Sequence, residues 1–384
     1  MPIFSIGPVL VIVGTRPEGI KMIPVYNALQ EAGIQAILCS TGQHTDLLDD
    51  TFRIFNVMPD INLNIMKPGQ DLFYITTTVL DKMKMVLQDI QPSLVLVQGD
   101  TTSAMAAALA AFYLKIPVGH VEAGLRTGNK YGPFPEEINR KLIGSIATYH
   151  FAPTHDAMEN LIKENINSKD IFCTGNTVVD ALHTIQHRIS LNEIPVTDSL
   201  KDVIKKAQQN NNTLMLLTAH RRESFNGGLA RIFSAVKQTL QDNPHLFVIY
   251  PMHPNPAIKK TFDESGLKNM PNIMVTAPLA YSDLVYVLEK CNLVATDSGG
   301  IQEEAASLGK PVIVLRNETD RSEGVYEGLA YLVGTDETKI QQTIAHVLTK
   351  KEKRSYNQLY GNGTASKQIV EIIKRGLNAA KETE

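Results

Sequence analysis

Hydrophobic residues along the chain alternate between short unbroken apolar runs and longer stretches with a helical pattern. Short runs rich in β-branched residues predict strands that are buried on both faces, and the longer stretches predict helices. Strands are predicted at residues 9–13, 34–39, 94–97 and 118–120 in the first half, and at 214–218, 247–250, 273–276, 293–296 and 312–315 in the second. This alternation predicts an α/β fold with doubly wound parallel sheets.

The length of 384 residues predicts two domains, because one hydrophobic core rarely extends over so long a chain. Helices are predicted at residues 17–32, 72–87 and 102–114, between the strands of the first half. We place a first Rossmann-like domain at residues 1–180, a second at 181–360 and a C-terminal segment at 361–384. Ligands of doubly wound sheets bind beyond the carboxyl ends of the strands. We therefore expect an active site in a cleft between the two domains.

The segment TDSGGIQEEAASLGK, at residues 296–310, reads as the end of a strand, a tight turn and the start of a helix. Backbone N–H groups and the positive end of a helix dipole at Ser298, Gly299 and Gly300 would suit a phosphate. Glu303 and Glu304, predicted in or near the first turn, could accept hydrogen bonds from sugar hydroxyls. The segment predicts a nucleotide-sugar or dinucleotide site. The alternatives are a plain capped loop and first-turn charges that complement the dipole.

Polar residues also follow the predicted strands of the first half. Arg16 and Lys21, in GTRPEGIK, could reach an anion, or could belong to a solvated helix start. Asp100, in QGDTTS, is either a helix N-cap or a carboxylate that shares a pocket with Glu122, in HVEAGLRT. Two carboxylates in one pocket would raise the pKa of at least one of them and favour base chemistry.

Four further segments add residues to the candidate site. Glu136 and Glu137 follow Pro135 at a predicted helix start, where dipole complementation explains one glutamate more easily than two. TAHRRESF offers His220 as an imidazole, with Arg221 or Arg222 as an anion partner. Two more residues from the second half are Arg321, which follows the strand at 312–315, and His253, which we interpret as structural or binding.

Composition excludes several classes of protein. A net charge of −3 gives no basic surface for nucleic acid. Cys39, Cys173 and Cys291 have no metal-ligand spacing, so we expect reduced thiols in a reducing compartment and no metal. The apolar N-terminus lacks a basic region and a cleavage site, and the uncharged run at 101–114 is too short to span a bilayer. We expect a cytoplasmic protein with no membrane segment.

Eleven motifs, in order along almost the whole chain, closely resemble those of the bacterial non-hydrolysing UDP-N-acetylglucosamine 2-epimerases. They are GTRPEGIKM, GQHTDLLD, QGDTTS, HVEAGLRT, PFPEEINR, FAPT, GNTVVDAL, AHRRESF, YPMHPNP, DSGGIQEEA and GKPVIVLR. The resemblance implies a GT-B fold with two Rossmann-like domains and a last helix that returns to the first domain. It also implies a homodimer without NAD or any other cofactor.

The implied reaction is reversible epimerisation at C2 of UDP-N-acetylglucosamine to UDP-N-acetylmannosamine. Elimination of UDP would give a 2-acetamidoglucal, and re-addition would give the epimer for cell-envelope polysaccharide. The resemblance assigns catalysis to Asp100, Glu122, Glu136 and His220. It assigns substrate binding to Arg16, Lys21, Leu279, Leu284, Ser298, Gly299, Gly300, Glu304 and Arg321.

Some positions depart from the family pattern. Leu284, after Tyr281, stands where an aromatic residue often lies near the uracil, so base stacking should be weaker. Gln43 matches a second, allosteric UDP-N-acetylglucosamine site of some members. Asp46 replaces the glutamine of that site, however, and Gly69 or Gln70 stands in the region of its arginine.

Four other functions remain compatible with parts of the sequence. A hydrolysing epimerase would release free N-acetylmannosamine and UDP on the same fold. A GT-B glycosyltransferase would share the phosphate turn and the ribose glutamate but would need an acceptor. A nucleotide-sugar sensor would bind without turnover, although the four catalytic positions are retained. An NAD-linked epimerase is disfavoured because no glycine-rich fingerprint follows the first strand.

Overall fold

The computed structural model describes residues 7–43, 46–221, 225, 227–350 and 357–381. The chain divides into two compact units. The first unit combines residues 1–184 with residues 360–384, and the second comprises residues 185–359.

The described part of the first unit contains a seven-stranded parallel sheet with the order β3-β2-β1-β4-β5-β6-β7. Its strands are β1 Val9–Val13, β2 Ala36–Ser40, β3 Ile61–Asn62, β4 Leu94–Gln98, β5 Val118–Val121, β6 Tyr149–Ala152 and β7 Ile171–Cys173. Its helices are α1 Arg16–Glu31, α2 Asp46–Phe55, α3 Leu72–Ile90, α4 Thr102–Tyr113, α5 Glu136–Ile146, α6 His155–Lys163 and α7 Thr177–Ser190, which continues into the second unit.

The second unit contains, within the described residues, a six-stranded parallel sheet with the order β10-β9-β8-β11-β12-β13. Its strands are β8 Thr213–Thr218, β9 Leu246–Pro251, β10 Ile273–Thr276, β11 Leu293–Thr296, β12 Val312–Val314 and β13 Ala330–Leu332. Its helices are α8 Asp198–Gln209, α9 Gly228–Asp242, α10 Pro256–Ser265, α11 Tyr281–Lys290, α12 Gly299–Ser307, α13 Ser322–Tyr326 and α14 Glu337–Thr349.

The C-terminal helix α15, Ala365–Lys381, belongs to the first unit and packs against α1. Buried Asp180 of α7 accepts the first backbone N–H groups of this helix, from Ala365 at 3.2 Å and from Ser366 at 2.8 Å. Because the first N–H groups of a helix have no partner within it, a carboxylate at this end stabilises the helix start. Ile369 and Ile373 are fully buried, so the helix also contributes to the core of this unit.

The predicted fold class is confirmed, because both sheets are parallel and doubly wound. Strands β1 and β11 match their predicted bounds, and their residues are almost inaccessible to solvent. Helix α2 and strands β3, β6, β7 and β13 were not predicted. In the described parts of the chain, no helix is both long enough and apolar enough to span a membrane.

Candidate active site

The predicted site residues cluster at one kind of position in each sheet. In both units the strand order reverses beside the first strand, between β1 and β4 in one and between β8 and β11 in the other. Loops at the carboxyl ends of these strands diverge, and the gap between them is where doubly wound sheets bind ligands. Arg16 and Asp100 lie just beyond β1 and β4, and His220 and Ser298 lie just beyond β8 and β11.

Glu122 follows β5, and several donors hold its carboxylate in place. Its backbone has a φ of 63°, a region that non-glycine residues seldom occupy and that costs about 1–3 kcal/mol. The side chain is ion-paired with Lys21 and accepts hydrogen bonds from Gln98 at 2.9 Å and from Asn176 at 3.3 Å. Three donors from β4, α1 and the loop before α7 therefore fix this carboxylate.

Asp100 is not the N-cap of α4, so that alternative is wrong. Thr101 is the N-cap, and its hydroxyl accepts the N–H of Ala104 at 3.1 Å. The Asp100 carboxylate instead receives two hydrogen-bonding contacts from Arg140, at 2.8 Å from Nε and 2.7 Å from Nη2. The side chain of Asp100 is 24% exposed, whereas that of Arg140 is only 5% exposed. A guanidinium held in this way fixes the carboxylate and leaves it accessible.

The two glutamates at the start of α5 have different surroundings. Glu137 is fully buried and accepts N–H groups from Thr127 at 3.1 Å and Gly128 at 3.2 Å, so it supports the loop that precedes the helix. Glu136, the first residue of α5, is half-buried. Dipole complementation at a helix start applies to both. Of the two, Glu136 is the less buried.

Glu18 of α1 was missed by sequence reasoning. Its carboxyl accepts the N–H of Gly14 at 3.0 Å and the hydroxyl of Thr101 at 2.8 Å, and so links the loop after β1 to the loop after β4. Burial raises its pKa to about 7, although these hydrogen bonds and those from Thr15 oppose the rise. The spacing T-x-x-E at residues 15–18 is a capping-box signal that could have drawn attention to this residue.

Gly14 itself is required for this approach. A Cβ atom built at Gly14 would lie 2.4 Å from Oγ1 of Thr41 and 2.6 Å from Oγ of Ser103. A larger residue would require a shift of these two side chains or of the loop that carries Arg16.

In the second unit, Ser298 is the N-cap of α12, which begins at Gly299. Its side chain makes no capping hydrogen bond within the described residues. The guanidinium of Arg321 lies against the helix start, since a Cβ built on Gly299 would be 2.9 Å from Cζ of Arg321, and one built on Gly300 would meet no atom within 4 Å. Backbone N–H groups, a helix dipole and a guanidinium therefore converge on one point, which suits an anion.

Glu303 and Glu304 were predicted in or near the first turn of this helix. The first turn contains no acidic residue, so that part of the prediction is wrong. They lie one turn further on and are buried. Glu303 accepts a hydrogen bond from Nε of Arg321 at 2.9 Å, so it orients the guanidinium. Glu304 accepts the hydroxyl of Tyr281 at 2.7 Å. The two glutamates thus have separate roles, which their adjacency in sequence did not indicate.

The imidazole of His220 lies next to a buried carboxylate. Asp297 is fully buried and its Oδ2 accepts the backbone N–H groups of His220 at 2.6 Å and Arg221 at 2.7 Å. Its Oδ1 lies 3.3 Å from Nδ1 of His220. The ring also stacks on His253, with centroids 5.5 Å apart and planes 4° from parallel. Sequence reasoning passed over Asp297, although it follows β11 as Asp100 follows β4.

Buried histidines of the first unit are structural. His120 is fully buried, its Nε2 lies 2.8 Å from the carbonyl of Gly99, and burial lowers its pKa to about 3. Burial also lowers the pKa of His150, to about 4. Both rings are therefore neutral at ordinary pH, and they lie on the interior strands β5 and β6.

The remaining predicted positions are Arg16, Leu279, Leu284 and Gln43. Arg16, Leu279 and Leu284 are half-buried. The backbone carbonyl of Gln43 accepts a hydrogen bond from the Gln70 side chain at 3.0 Å, and the allosteric role of Gln43 stays a prediction. Two predicted features lie outside the described residues, namely Arg222 and the side chain of Asp46.

The chain matches a known family over most of its length. A family model described as UDP-N-acetylglucosamine 2-epimerase covers residues 27–374. The UDP-N-acetylglucosamine 2-epimerase of Yersinia pestis is 44% identical over 375 residues, which is 95% of this chain and 98% of that protein.

Solved structures show the same likeness. The UDP-GlcNAc 2-epimerase of Neisseria meningitidis bound to UDP-GlcNAc has a TM-score of 0.89 at 41% identity, covering 96% of this chain and 100% of that one. The UDP-GlcNAc 2-epimerase of Methanocaldococcus jannaschii in complex with UDP-GlcNAc and UDP has a TM-score of 0.83 at 34% identity, covering 96% and 100%. This chain therefore belongs to the UDP-N-acetylglucosamine 2-epimerase family.

Proposed function

We propose that the protein interconverts UDP-N-acetylglucosamine and UDP-N-acetylmannosamine without hydrolysis. One observation carries the proposal: a helix start at Ser298–Gly300 with the Arg321 guanidinium against it lies one turn before the buried carboxylate Glu304. This arrangement offers a cradle for a diphosphate and an acceptor for sugar hydroxyls within a single element. Binding of UDP-GlcNAc by the relatives from Neisseria meningitidis and Methanocaldococcus jannaschii supports this choice of ligand.

Inversion at C2 requires a route that makes its hydrogen acidic, because C2 of this sugar is not adjacent to a carbonyl. Departure of UDP from C1 would create positive charge at C1, and the neighbouring C2–H bond would then lose its proton. The product of this elimination is a 2-acetamidoglucal, with a C1–C2 double bond. Protonation of C2 on the opposite face and re-addition of UDP at C1 would complete the epimerisation.

The second unit would stabilise the departing diphosphate. Negative charge that develops on the phosphate oxygens would meet the N–H groups at Ser298–Gly300 and the Arg321 guanidinium. Donors that are already oriented need no reorganisation as the charge forms, which makes them effective in catalysis. Glu303 fixes Arg321, and the Tyr281 hydroxyl fixes Glu304, which would accept the ribose hydroxyls.

The first unit would move the protons at C2. The reaction needs an acceptor on one face of the sugar ring and a donor on the other. Asp100 and Glu122 are the leading pair, because each is held by fixed donors at adjacent strand ends. We assign Glu136 an assisting role and His220 a bridging role between sugar and phosphate.

Proton NMR of the purified protein with UDP-N-acetylglucosamine in D2O tests this function. We expect a mixture of gluco and manno UDP-sugars with deuterium at C2. Free N-acetylmannosamine with UDP would establish a hydrolysing epimerase instead. An unchanged spectrum, together with saturation transfer from protein to nucleotide, would point to a glycosyltransferase or a sensor.

Single variants test the catalytic assignments. We expect Asp100→Asn, Glu122→Gln, Glu136→Gln and His220→Asn each to lower kcat by about 100-fold or more, in the range typical of lost acid–base groups. Glu164→Gln is a matched control, because Glu164 is ion-paired with Arg126 and has no assigned role. Near-full activity in any of the four would remove that residue from the mechanism.

We further propose that the protein works as a homodimer in the cytoplasm and supplies N-acetylmannosamine units for cell-envelope polysaccharide. Its three cysteines are free thiols, which fits a reducing compartment. The faces of α3 and α4 expose Phe73 (83%) and Tyr113 (65%) beside a groove of about 410 Å³. Exposed apolar patches of this kind are typical of interfaces.

Analytical ultracentrifugation tests the dimer. Phe73→Glu should shift the protein toward monomer, whereas Met58→Glu, at another exposed apolar position (73%), should not. Equal sedimentation of the two variants at every concentration would remove this face from the interface.

A further inference from the structure

Asp297 has an acceptor atom that its backbone contacts do not use. The two N–H groups of His220 and Arg221 both point to Oδ2, at 2.6 and 2.7 Å. Oδ1 is buried and receives no hydrogen bond from the described residues. A carboxylate oxygen that is buried without a donor is costly, by about 1–3 kcal/mol or more. The nearby Nδ1 of His220, at 3.3 Å, is a possible donor to it.

This geometry selects one form of the imidazole ring. An ionised carboxylate can only accept, so it favours a proton on the facing ring nitrogen. The proton on a neutral imidazole is then on Nδ1, and Nε2 carries the lone pair. Nδ1 keeps its proton whether the ring is neutral or charged. The ring therefore gains and loses a proton only at Nε2.

We propose that Asp297 is a positioning residue that keeps a proton on Nδ1 of His220 and leaves Nε2 as the atom that meets the substrate. The catalytic part of this role rests on the proposed function, whereas the tautomer of His220 does not depend on that function. In that reaction His220 would act as an imidazolium, with Nδ1–H facing Asp297 and Nε2–H donating a hydrogen bond to the departing diphosphate. The proton would stay on Nε2 while UDP departs and returns, so no net proton transfer passes through this ring.

His253 restricts the ring further. It stacks on His220 with nearly parallel planes, so it limits tilting of the imidazole out of the Asp297 plane. Its own Nδ1 accepts the N–H of Asn255 at 3.2 Å, and burial together with His220 lowers its pKa. A neutral ring at this position adds no positive charge that would oppose protonation of His220.

The amide variant Asp297→Asn would reverse which nitrogen of the neutral His220 ring carries the proton. Its amide oxygen must face the two backbone N–H groups, because an NH2 group there would meet two donors. The NH2 group then takes the place of Oδ1 and donates to Nδ1 of His220. The ring is forced to carry its proton on Nε2, as in a catalytic aspartate–histidine pair converted to asparagine–histidine.

Asp283→Asn is the matched control. Asp283 is also buried in the second unit and accepts the backbone N–H of Thr197 at 2.8 Å and its hydroxyl at 2.7 Å. An amide at this position keeps both contacts, because the hydroxyl can accept as well as donate. The control therefore removes a buried carboxylate that does not face a histidine among the described residues.

The test is long-range 1H–15N NMR of histidine-labelled protein at a pH where the ring is neutral, with His220 assigned by His220→Asn. We expect a protonated Nδ1 and an unprotonated Nε2 in the wild type, the reverse in Asp297→Asn, and no change in Asp283→Asn. A protonated Nε2 in the wild type overturns the proposal outright. This spectrum decides the matter even if Asp297→Asn does not fold.

Kinetics then separate positioning from simple support of the fold. Asp297→Asn should lower kcat by about 100-fold or more with KM changed less than about 3-fold. The double variant with His220→Asn should be no worse than either single variant, because both act through one ring. Additive losses, or full activity with the reversed tautomer, would contradict the positioning role. If the wild-type protein has the predicted tautomer but is inactive, the proposed function is refuted and the pairing of Asp297 with His220 is not.

Discussion

Replacement of Glu18 by glutamine should make the stability of the first unit depend less on pH between pH 5 and pH 8. In the wild type, burial raises the pKa of Glu18 from 4.5 to about 7. A tenfold change in proton affinity corresponds to about 1.4 kcal/mol, so the raised pKa corresponds to about 3 kcal/mol. Glu18 is 2% exposed, so solvent screening reduces this value little.

The sign follows from proton linkage. The folded state binds the Glu18 proton more tightly than the unfolded state, so the free energy of unfolding falls as pH rises from 4.5 through about 7. Between pH 5 and pH 8 the wild type should lose about 2–3 kcal/mol through this group alone. Glutamine does not ionise, and its amide oxygen can still accept the N–H of Gly14. The wild type and Glu18→Gln should therefore diverge progressively as pH rises, in favour of the variant.

Hydrogen exchange of the amides of β1 and β4, corrected for the intrinsic effect of pH, reports opening of the first unit without assuming two-state unfolding of the whole chain. A 13C titration of the Glu18 side chain measures the pKa directly. Glu164→Gln serves as the control. Arg126 lowers the pKa of Glu164, so its contribution is lost only as pH falls and should be constant from pH 5 to pH 8.

Two results would refute this reasoning. One is a Glu18 titration midpoint at or below its ordinary value. The other is a stability difference between wild type and Glu18→Gln that stays constant across the pH range.

Three further predictions concern the contacts that orient the candidate site. Gly299→Ala should weaken UDP binding by about 10-fold or more in calorimetry, because its Cβ would lie 2.9 Å from Cζ of Arg321; unchanged affinity would exclude that helix start as the phosphate site. Tyr281→Phe removes the 2.7 Å hydrogen bond to Glu304, which is typically worth about 1 kcal/mol. UDP affinity should fall about 5-fold and the free energy of unfolding by about 1 kcal/mol, and an equal loss of affinity for a ligand without ribose would contradict the assignment of Glu304. Gln98→Leu removes a 2.9 Å donor to Glu122 and should lower kcat more than it raises KM, whereas a change in KM alone would argue for a binding role.

Sequence patterns located the strands that form clear apolar runs and missed β3, β6, β7 and β13. The apolar runs of β1 and β11 fix their bounds, because only a strand buried on both faces tolerates such continuity. Strand β3 covers Ile61–Asn62 alone, and a two-residue strand leaves no periodic signal to read. Helix α2 was missed although it exists over Asp46–Phe55.

For the candidate site, position relative to a strand was predictable and the partners were not. Asp100 and His220 were found because they follow buried strands. Arg140, which holds Asp100, and Asp297, which underlies His220, are 40 and 77 residues away from them in sequence. Contacts over such separations are created by the order of strands in the sheet, which a single sequence does not display.

The placement of α15 affects the order in which the chain can fold. The second unit is one continuous stretch, residues 185–359, and can be completed as soon as it has been synthesised. The first unit lacks α15 until the last 25 residues, 360–384, have been made, and the carboxylate of Asp180 has no helix start to bind before then. On the ribosome, where domains form as their residues emerge, the later half of the chain would finish folding before the earlier half. A truncation after residue 359 would leave the second unit whole and remove a core helix from the first.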